Sequence, residues 1–145
     1  MESFLPKSIF NLVFLGLTIS LLTGMPGVVT AGEIKINLNG NQEVPPVKTS
    51  ASGSGTIVVE DDKSIKGKVM TSDIKGTGAH IHEGAAGKNG SDIITLVKVS
   101  ENEWSVPNDA KLSDAQYDAF KAGNLYVNVH SDAHKSGEIR GQLKR

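Results

Sequence analysis

Cysteine is absent from this chain of 145 residues, and its absence excludes several kinds of protein at once. No disulfide can staple the fold, no thiolate can bind a metal, and attachment as a bacterial lipoprotein, which needs a cysteine, is excluded. Aromatic residues make up only 5% of the chain, and its 15 Lys and Arg nearly balance its 16 Asp and Glu. Without a basic stripe, no nucleic-acid partner is expected. Any metal site here must use nitrogen and oxygen ligands.

Long hydrophobic runs are also lacking, and the longest lies near the start of the chain. Lys7 precedes a mostly apolar stretch over residues 9–22, and small residues follow at 29–31. This order is typical of an export signal. The run is shorter than the ~20 residues that span a bilayer, which disfavours the alternative, an uncleaved anchor. The sequence therefore predicts a signal peptide over 1–31, one domain over 32–145, a secreted or periplasmic location, and no membrane association after cleavage.

Short alternating segments mark most of the remaining chain as β-structure. In the first of them every second residue is apolar, which is the period of a half-buried strand. We predict strands over residues 33–38, 56–59, 64–70, 77–82, 93–99, 125–130 and 138–143. Six or seven short strands separated by turn residues predict an all-β sandwich or barrel.

One segment changes from the strand period to a helical one. Ser113 and Gln116 match a capping box, in which the serine side chain and the glutamine side chain each satisfy a free backbone N–H. A glycine at position 123 stands where a helix would end. The sequence predicts one short helix over residues 114–122, with Phe120 as its main contact with the core.

Four histidines are the candidate metal ligands of this chain. His80 and His82 are two residues apart on a predicted strand, so both side chains point to the same face. On the strand over 125–130, alternating apolar residues occupy the core face and leave His130 on the polar face. If the two strands are neighbours, three imidazoles meet, and His134 can serve as a fourth ligand from the turn that follows. Imidazoles without thiolates suit Zn²⁺ or Cu²⁺, whereas the alternative is a polar sheet face without metal.

The last predicted strand carries charged residues that could lie near the histidines. Glu138, Arg140 and Gln142 alternate onto one face. The simpler interpretation is a surface strand whose charges form exposed ion pairs with neighbouring strands. If this face borders the histidines, Glu138 is instead expected to accept a hydrogen bond from an imidazole and orient it.

Several blocks of sequence together resemble the CHRD domain, the module named for its repeats in chordin. The blocks are GNQEVPPV at 40–47, HIHEG at 80–84, GKNG at 87–90, YVNVH at 126–130 and GEIRGQL at 137–143. The resemblance covers nearly all of residues 33–143. It implies an extracytoplasmic protein with an antiparallel Greek-key, immunoglobulin-like β-sandwich, and it brings no established activity. His80, His82 and His130 match positions of the family pattern, whereas His134 does not.

A fainter resemblance is to the copper–zinc superoxide dismutases. The segment from Gly78 to Glu83 is similar to the copper-ligand strand of that family, His130 matches a later copper ligand, and residues 137–140 are similar to the segment that carries the substrate-guiding arginine. The disulfide and the separate zinc loop of that family are missing, and His134 alone is left as a fourth copper ligand. A shared pattern of this kind does not transfer chemistry.

Three hypotheses of function follow. The first is an exported, non-enzymatic binding or structural module whose partner is another extracytoplasmic protein. The second is a metal-binding module that carries or buffers copper or zinc through the histidines. The third is a copper-dependent enzyme similar to superoxide dismutase.

Overall fold

The computed structural model describes residues 32–145, so the predicted signal peptide lies outside the described residues. Within them the chain forms nine strands and one α-helix. In chain order these are β1 (Glu33–Asn39), a 3₁₀ turn (Gly40–Gln42), β2 (Ser52–Val59), β3 (Ile65–Ser72), β4 (Gly76–Glu83), β5 (Asp92–Thr95), β6 (Val97–Ser100), β7 (Glu103–Ser105), α1 (Asp114–Lys121), β8 (Leu125–Ser131) and β9 (Ile139–Leu143). No helix in this part of the chain is long and apolar enough to cross a membrane.

A single antiparallel sheet contains all nine strands, in the order β5-β4-β8-β9-β1-β2-β3-β7-β6. The two edge strands, β5 and β6, are consecutive in the sequence and are separated by Leu96 alone. The sheet therefore curls until its two edges are joined by one residue, which gives a nearly closed, sandwich-like barrel. The prediction of an all-β antiparallel fold with one short helix is confirmed, while the Greek-key connectivity stays a prediction.

The junction at Leu96 corrects one predicted element. The sequence pattern predicted one continuous strand over residues 93–99, but the structure divides this segment between the two edges of the sheet. Leu96 is buried, and its N–H donates to the carbonyl oxygen of Ala79 on β4 at 2.9 Å. Once Leu96 turns inward, the chain leaves β4 and continues as a partner of β7. High β-propensity predicted the strands, but it carries no signal for a change of partner.

The core fills the inside of the curled sheet, and β8 shows how alternation places residues there. Leu125, Val127 and Val129 are completely buried, as the sequence predicts. Tyr126 and Asn128 point to the opposite face, yet they are buried as well. Other parts of the chain therefore cover the outer face of β8, and the candidate site lies in this second buried region.

The helix begins with the predicted capping box. The Ser113 hydroxyl accepts from the Gln116 N–H at 3.2 Å, and the Gln116 side chain accepts from the Ser113 N–H at 2.9 Å. Phe120 is buried against the core, so the predicted core contact is confirmed.

Replacing Ser113 by alanine should lower the free energy of unfolding by ~0.5–2 kcal/mol, because one N–H of the first helical turn loses its acceptor. Urea denaturation measures the change. Ser50, an exposed serine outside the helix, provides the matched control, and Ser50→Ala is expected to stay within ~0.5 kcal/mol of wild type. Equal effects of the two substitutions would contradict the role of the cap.

Candidate metal centre

Pairing between β4 and β8 brings three of the four histidines together. The strands are antiparallel, with Gly78 opposite His130 and His80 opposite Asn128. On β4 the alternate residues are buried in the core, which directs His80 and His82 to the outer face. The two strands are therefore neighbours, which the sequence alone left open, and the three imidazoles share one face.

The distances between the imidazoles suit a metal ion. Nδ1 of His80 lies 3.0 Å from Nε2 of His130, and one nitrogen of each of the three rings lies within 4.8 Å of the others. The two closer nitrogens are within hydrogen-bonding distance, so an ion held by both rings would take the place of the proton between them. Three nitrogens bound to one ion lie at most about 4.2 Å apart, so His82 would complete the set with no more than a small movement.

Two of the rings are oriented by carbonyl oxygens, which can only accept hydrogen bonds. Nδ1 of His130 donates to the Lys135 carbonyl at 2.9 Å, and Nδ1 of His82 donates to the Gly90 carbonyl at 3.0 Å. The first of these bonds leaves Nε2 of His130 directed at His80 as a proton-free ligand atom, an arrangement common around metal-binding histidines. Nε2 of His82 instead faces a second acceptor, the side-chain oxygen of Asn128 at 2.9 Å, which a metal would displace or share.

The environment of His80 favours the neutral ring that a metal requires. Partial burial lowers the pKa of His80, and the neighbouring His130 and His82 lower it further. A charged imidazolium is disfavoured there because it would be poorly solvated and would lie next to two further imidazoles. Metal binding at this position thus has little competition from protons near neutral pH.

His134 lies apart from this group, in the turn between β8 and β9. Its backbone N–H donates to the Ser131 carbonyl, and its own carbonyl accepts from the N–H of Gly137. The structure therefore brings together three of the predicted ligands and leaves the fourth in the turn, near Glu138. Glu138 is buried and accepts a hydrogen bond from the Thr49 hydroxyl at 2.6 Å, so it is engaged away from the three clustered imidazoles.

Arg140 overturns the interpretation of β9 as a surface strand. Its side chain is only 1% exposed, and its guanidinium lies 3.4 Å above the ring of Tyr126. Tyr126 in turn stacks on His82 with a centroid distance of 4.8 Å and an interplanar angle of 2°. Arginine, tyrosine and histidine thus form one column on the outer face of β8 and β9. Alternation placed Arg140 on the outer face correctly, but it could not show that loops cover that face.

Loop contacts explain the burial of this column. The guanidinium donates to the carbonyl oxygens of Ala85 and Lys88 at 3.0 and 2.9 Å, and to the side-chain oxygen of Gln142 at 3.0 Å. The first two belong to the glycine-rich loop (residues 84–90), which Arg140 therefore holds against the sheet. Gly90, at the end of the same loop, is the residue that orients His82.

Glu43 and Asn128 complete this region, and sequence reasoning missed both. Glu43 is 5% exposed, and burial raises its pKa to about 7, against the opposing effects of the Arg140 charge and the Asn128 amide. Asn128 lies between Glu43 and His82, with its amide nitrogen near the Glu43 carboxyl group and its oxygen 2.9 Å from Nε2 of His82. A β-carbon on Gly137, whose φ is +129°, would lie 2.5 Å from both side chains, so glycine is required there. The family blocks at 40–47 and 126–130 contained the only signal for these residues.

The fold and the site define an all-β domain that presents a group of imidazoles on the outer face of a curled sheet, an arrangement suited to binding. The model of the CHRD domain family matches residues 34–143, and the chain therefore belongs to that family. Domains of this family occur in extracellular proteins. Searches of curated proteins and of solved structures found no match.

Proposed function

We propose that this protein is an exported, non-enzymatic CHRD-domain module that binds one copper or zinc ion through His80, His82 and His130. The observation that supports it best is the 3.0 Å separation between ring nitrogens of His80 and His130, which is suitable for two ligands of one ion. The carbonyl oxygens behind His82 and His130 support the same interpretation. Such a module would carry or buffer metal outside the cytoplasm.

Copper is the ion that the ligand types favour. Nitrogen ligands bind Cu²⁺ more tightly than Zn²⁺ in general. The side-chain oxygen of Asn128, 2.9 Å from Nε2 of His82, or a water molecule would supply a further ligand.

The superoxide dismutase hypothesis gains nothing from Arg140. In that comparison Arg140 occupies the segment of the substrate-guiding arginine, but here it is covered by the glycine-rich loop and bonded to carbonyl oxygens. An arginine in this position holds a loop and is not free to guide an anion to the histidines. The alternative is a purely structural module that binds no metal. The following measurement distinguishes it from the metal-binding module.

Single substitutions should divide the histidines into two groups. Excess Cu²⁺ is expected to raise the Tm of wild type, since a ligand that binds only the native state adds about 2.7 kcal/mol at a hundredfold excess over its Kd. His82→Ala should lose most of this gain. His134→Ala should keep most of it, because His134 lies in the turn outside the group. A thermal denaturation series with and without Cu²⁺ measures both effects, and an equal loss in the two variants would contradict the proposed ligand set.

A further inference from the structure

A second concave surface lies beside the metal centre, between the segment over residues 41–46 and the glycine-rich loop. This cleft has a volume of about 510 Å³, within the range of sites that hold small molecules. Val44 and Pro46 from the first segment and Ala86 from the loop supply its apolar lining. Because two loops and the end of β9 build it, the cleft is distinct from the face that carries the imidazoles.

Positive charge dominates the cleft. Arg140 lies at its floor and Lys144 at its rim, where the lysine side chain is exposed. The hydrogen-bond acceptors of Arg140 are neutral oxygens, and within residues 32–145 no carboxylate forms an ion pair with it. Glu43 is the one acidic residue in the lining. The cleft therefore carries net positive charge whether or not Glu43 is ionised.

Glu43 does not cancel this charge. Its Oε1 atom is buried beside Gly137 and the side-chain amide of Asn128, neither of which lines the cleft. Two cations, Arg140 and Lys144, therefore face one carboxylate, and the surplus favours an anionic ligand.

We propose that this cleft binds a small organic anion, a carboxylate attached to an apolar body. Arg140 and Lys144 provide the positive potential, and Val44 with Pro46 contacts the apolar part. An amine is disfavoured by the same two cations. The proposal stands independently of the metal centre, because none of the three clustered histidines lines the cleft.

Benzoate is the probe for this proposal, with benzyl alcohol and benzylamine as neutral and cationic analogues of similar shape. Each is titrated into the ¹⁵N-labelled protein at about pH 6.5, without metal, and amide chemical shifts are followed. Benzoate should saturate and shift amides of residues 41–44 and 84–90, and benzyl alcohol should bind at least about tenfold more weakly. Benzylamine binding as tightly as benzoate, or benzoate shifts confined to other regions, would overturn the proposal.

Charge reversal at the rim tests the same proposal without disturbing the buried groups. Lys144→Glu should weaken benzoate binding by about tenfold, since it replaces an attractive charge with a repulsive one. Lys35, an exposed lysine on β1 outside the cleft, provides the matched control. Lys35→Glu makes the same change in net charge and should leave benzoate affinity within about twofold of wild type. Equal weakening by both variants would show a nonspecific effect of net charge and would refute the site.

Discussion

Replacing Arg140 by alanine is expected to lower the free energy of unfolding by roughly 3–5 kcal/mol, the largest effect of any single side chain outside the apolar core. The substitution leaves the carbonyl oxygens of Ala85 and Lys88 and the side-chain oxygen of Gln142 without their donor. It also removes the guanidinium from the face of Tyr126, where it lies 3.4 Å from the ring centroid. Urea denaturation of the two proteins at one pH measures the difference.

Arg145 is the natural control, because it is the other arginine of the chain and is exposed. Its guanidinium lies 5.1 Å from the ring centroid of Phe120, so Arg145→Ala should cost no more than ~1 kcal/mol. Arg140→Lys should recover little of the lost stability, since an ammonium group cannot reproduce the planar fork that reaches three oxygens. If Arg140→Ala costs no more than Arg145→Ala, the column on the outer face does not hold the glycine-rich loop.

Glu43→Gln is expected to stabilise the protein above neutral pH and to leave it nearly unchanged in weak acid. The folded-state pKa of Glu43 is about 7, above the ordinary 4.5. The native state therefore gains stability from this group that is fully present below about pH 4.5 and is lost as the pH rises through about 7. Glutamine keeps the neutral form at every pH. The variant should thus be more stable than wild type by on the order of 3 kcal/mol at pH 8.

Denaturation of wild type and Glu43→Gln at about pH 5 and pH 8 isolates this effect, because contributions from other groups cancel in the difference. Glu33, an exposed residue at the start of β1, provides a control whose carboxyl group lies in solvent. Glu33→Gln should differ from wild type by the same small amount at both pH values. A pH-independent difference for Glu43→Gln as well would contradict the burial of an ionisable carboxyl group at this position.

Alternation along the two strands predicted which face each of the three clustered histidines takes. His80 and His82 share a face because they are two residues apart, and the apolar residues of β8 direct His130 outward. The remaining condition, that β4 and β8 are neighbours, is a pairing between segments about 50 residues apart. The sequence pattern does not show which strands pair. The structure shows that β4 and β8 do.

The buried column could not be predicted in the same way. Arg140 is bonded to carbonyl oxygens 52 and 55 residues away, and nothing in the local pattern of β9 distinguishes a covered outer face from an exposed one. The same holds for Glu43, which is buried near Arg140 of β9 and Asn128 of β8, both far from it in the sequence. Strand period predicts which face a residue takes. Whether that face is covered depends on loops, and loop positions follow from tertiary contacts.

Calorimetric titration of Cu²⁺ and Zn²⁺ tests the central claim most directly. The wild-type chain is compared with a variant in which His80, His82 and His130 are all replaced by alanine, at about one pH unit above 6.5 and about one unit below it. Circular dichroism first establishes that the variant keeps its β-sheet spectrum. We predict that wild type binds one ion at the higher pH, with Cu²⁺ tighter than Zn²⁺. Its affinity should fall at the lower pH, because protons compete for the imidazoles. The variant should lose this binding. Equal affinity of the folded variant and wild type for both ions would contradict the claim and would leave the three histidines as a polar face of the sheet.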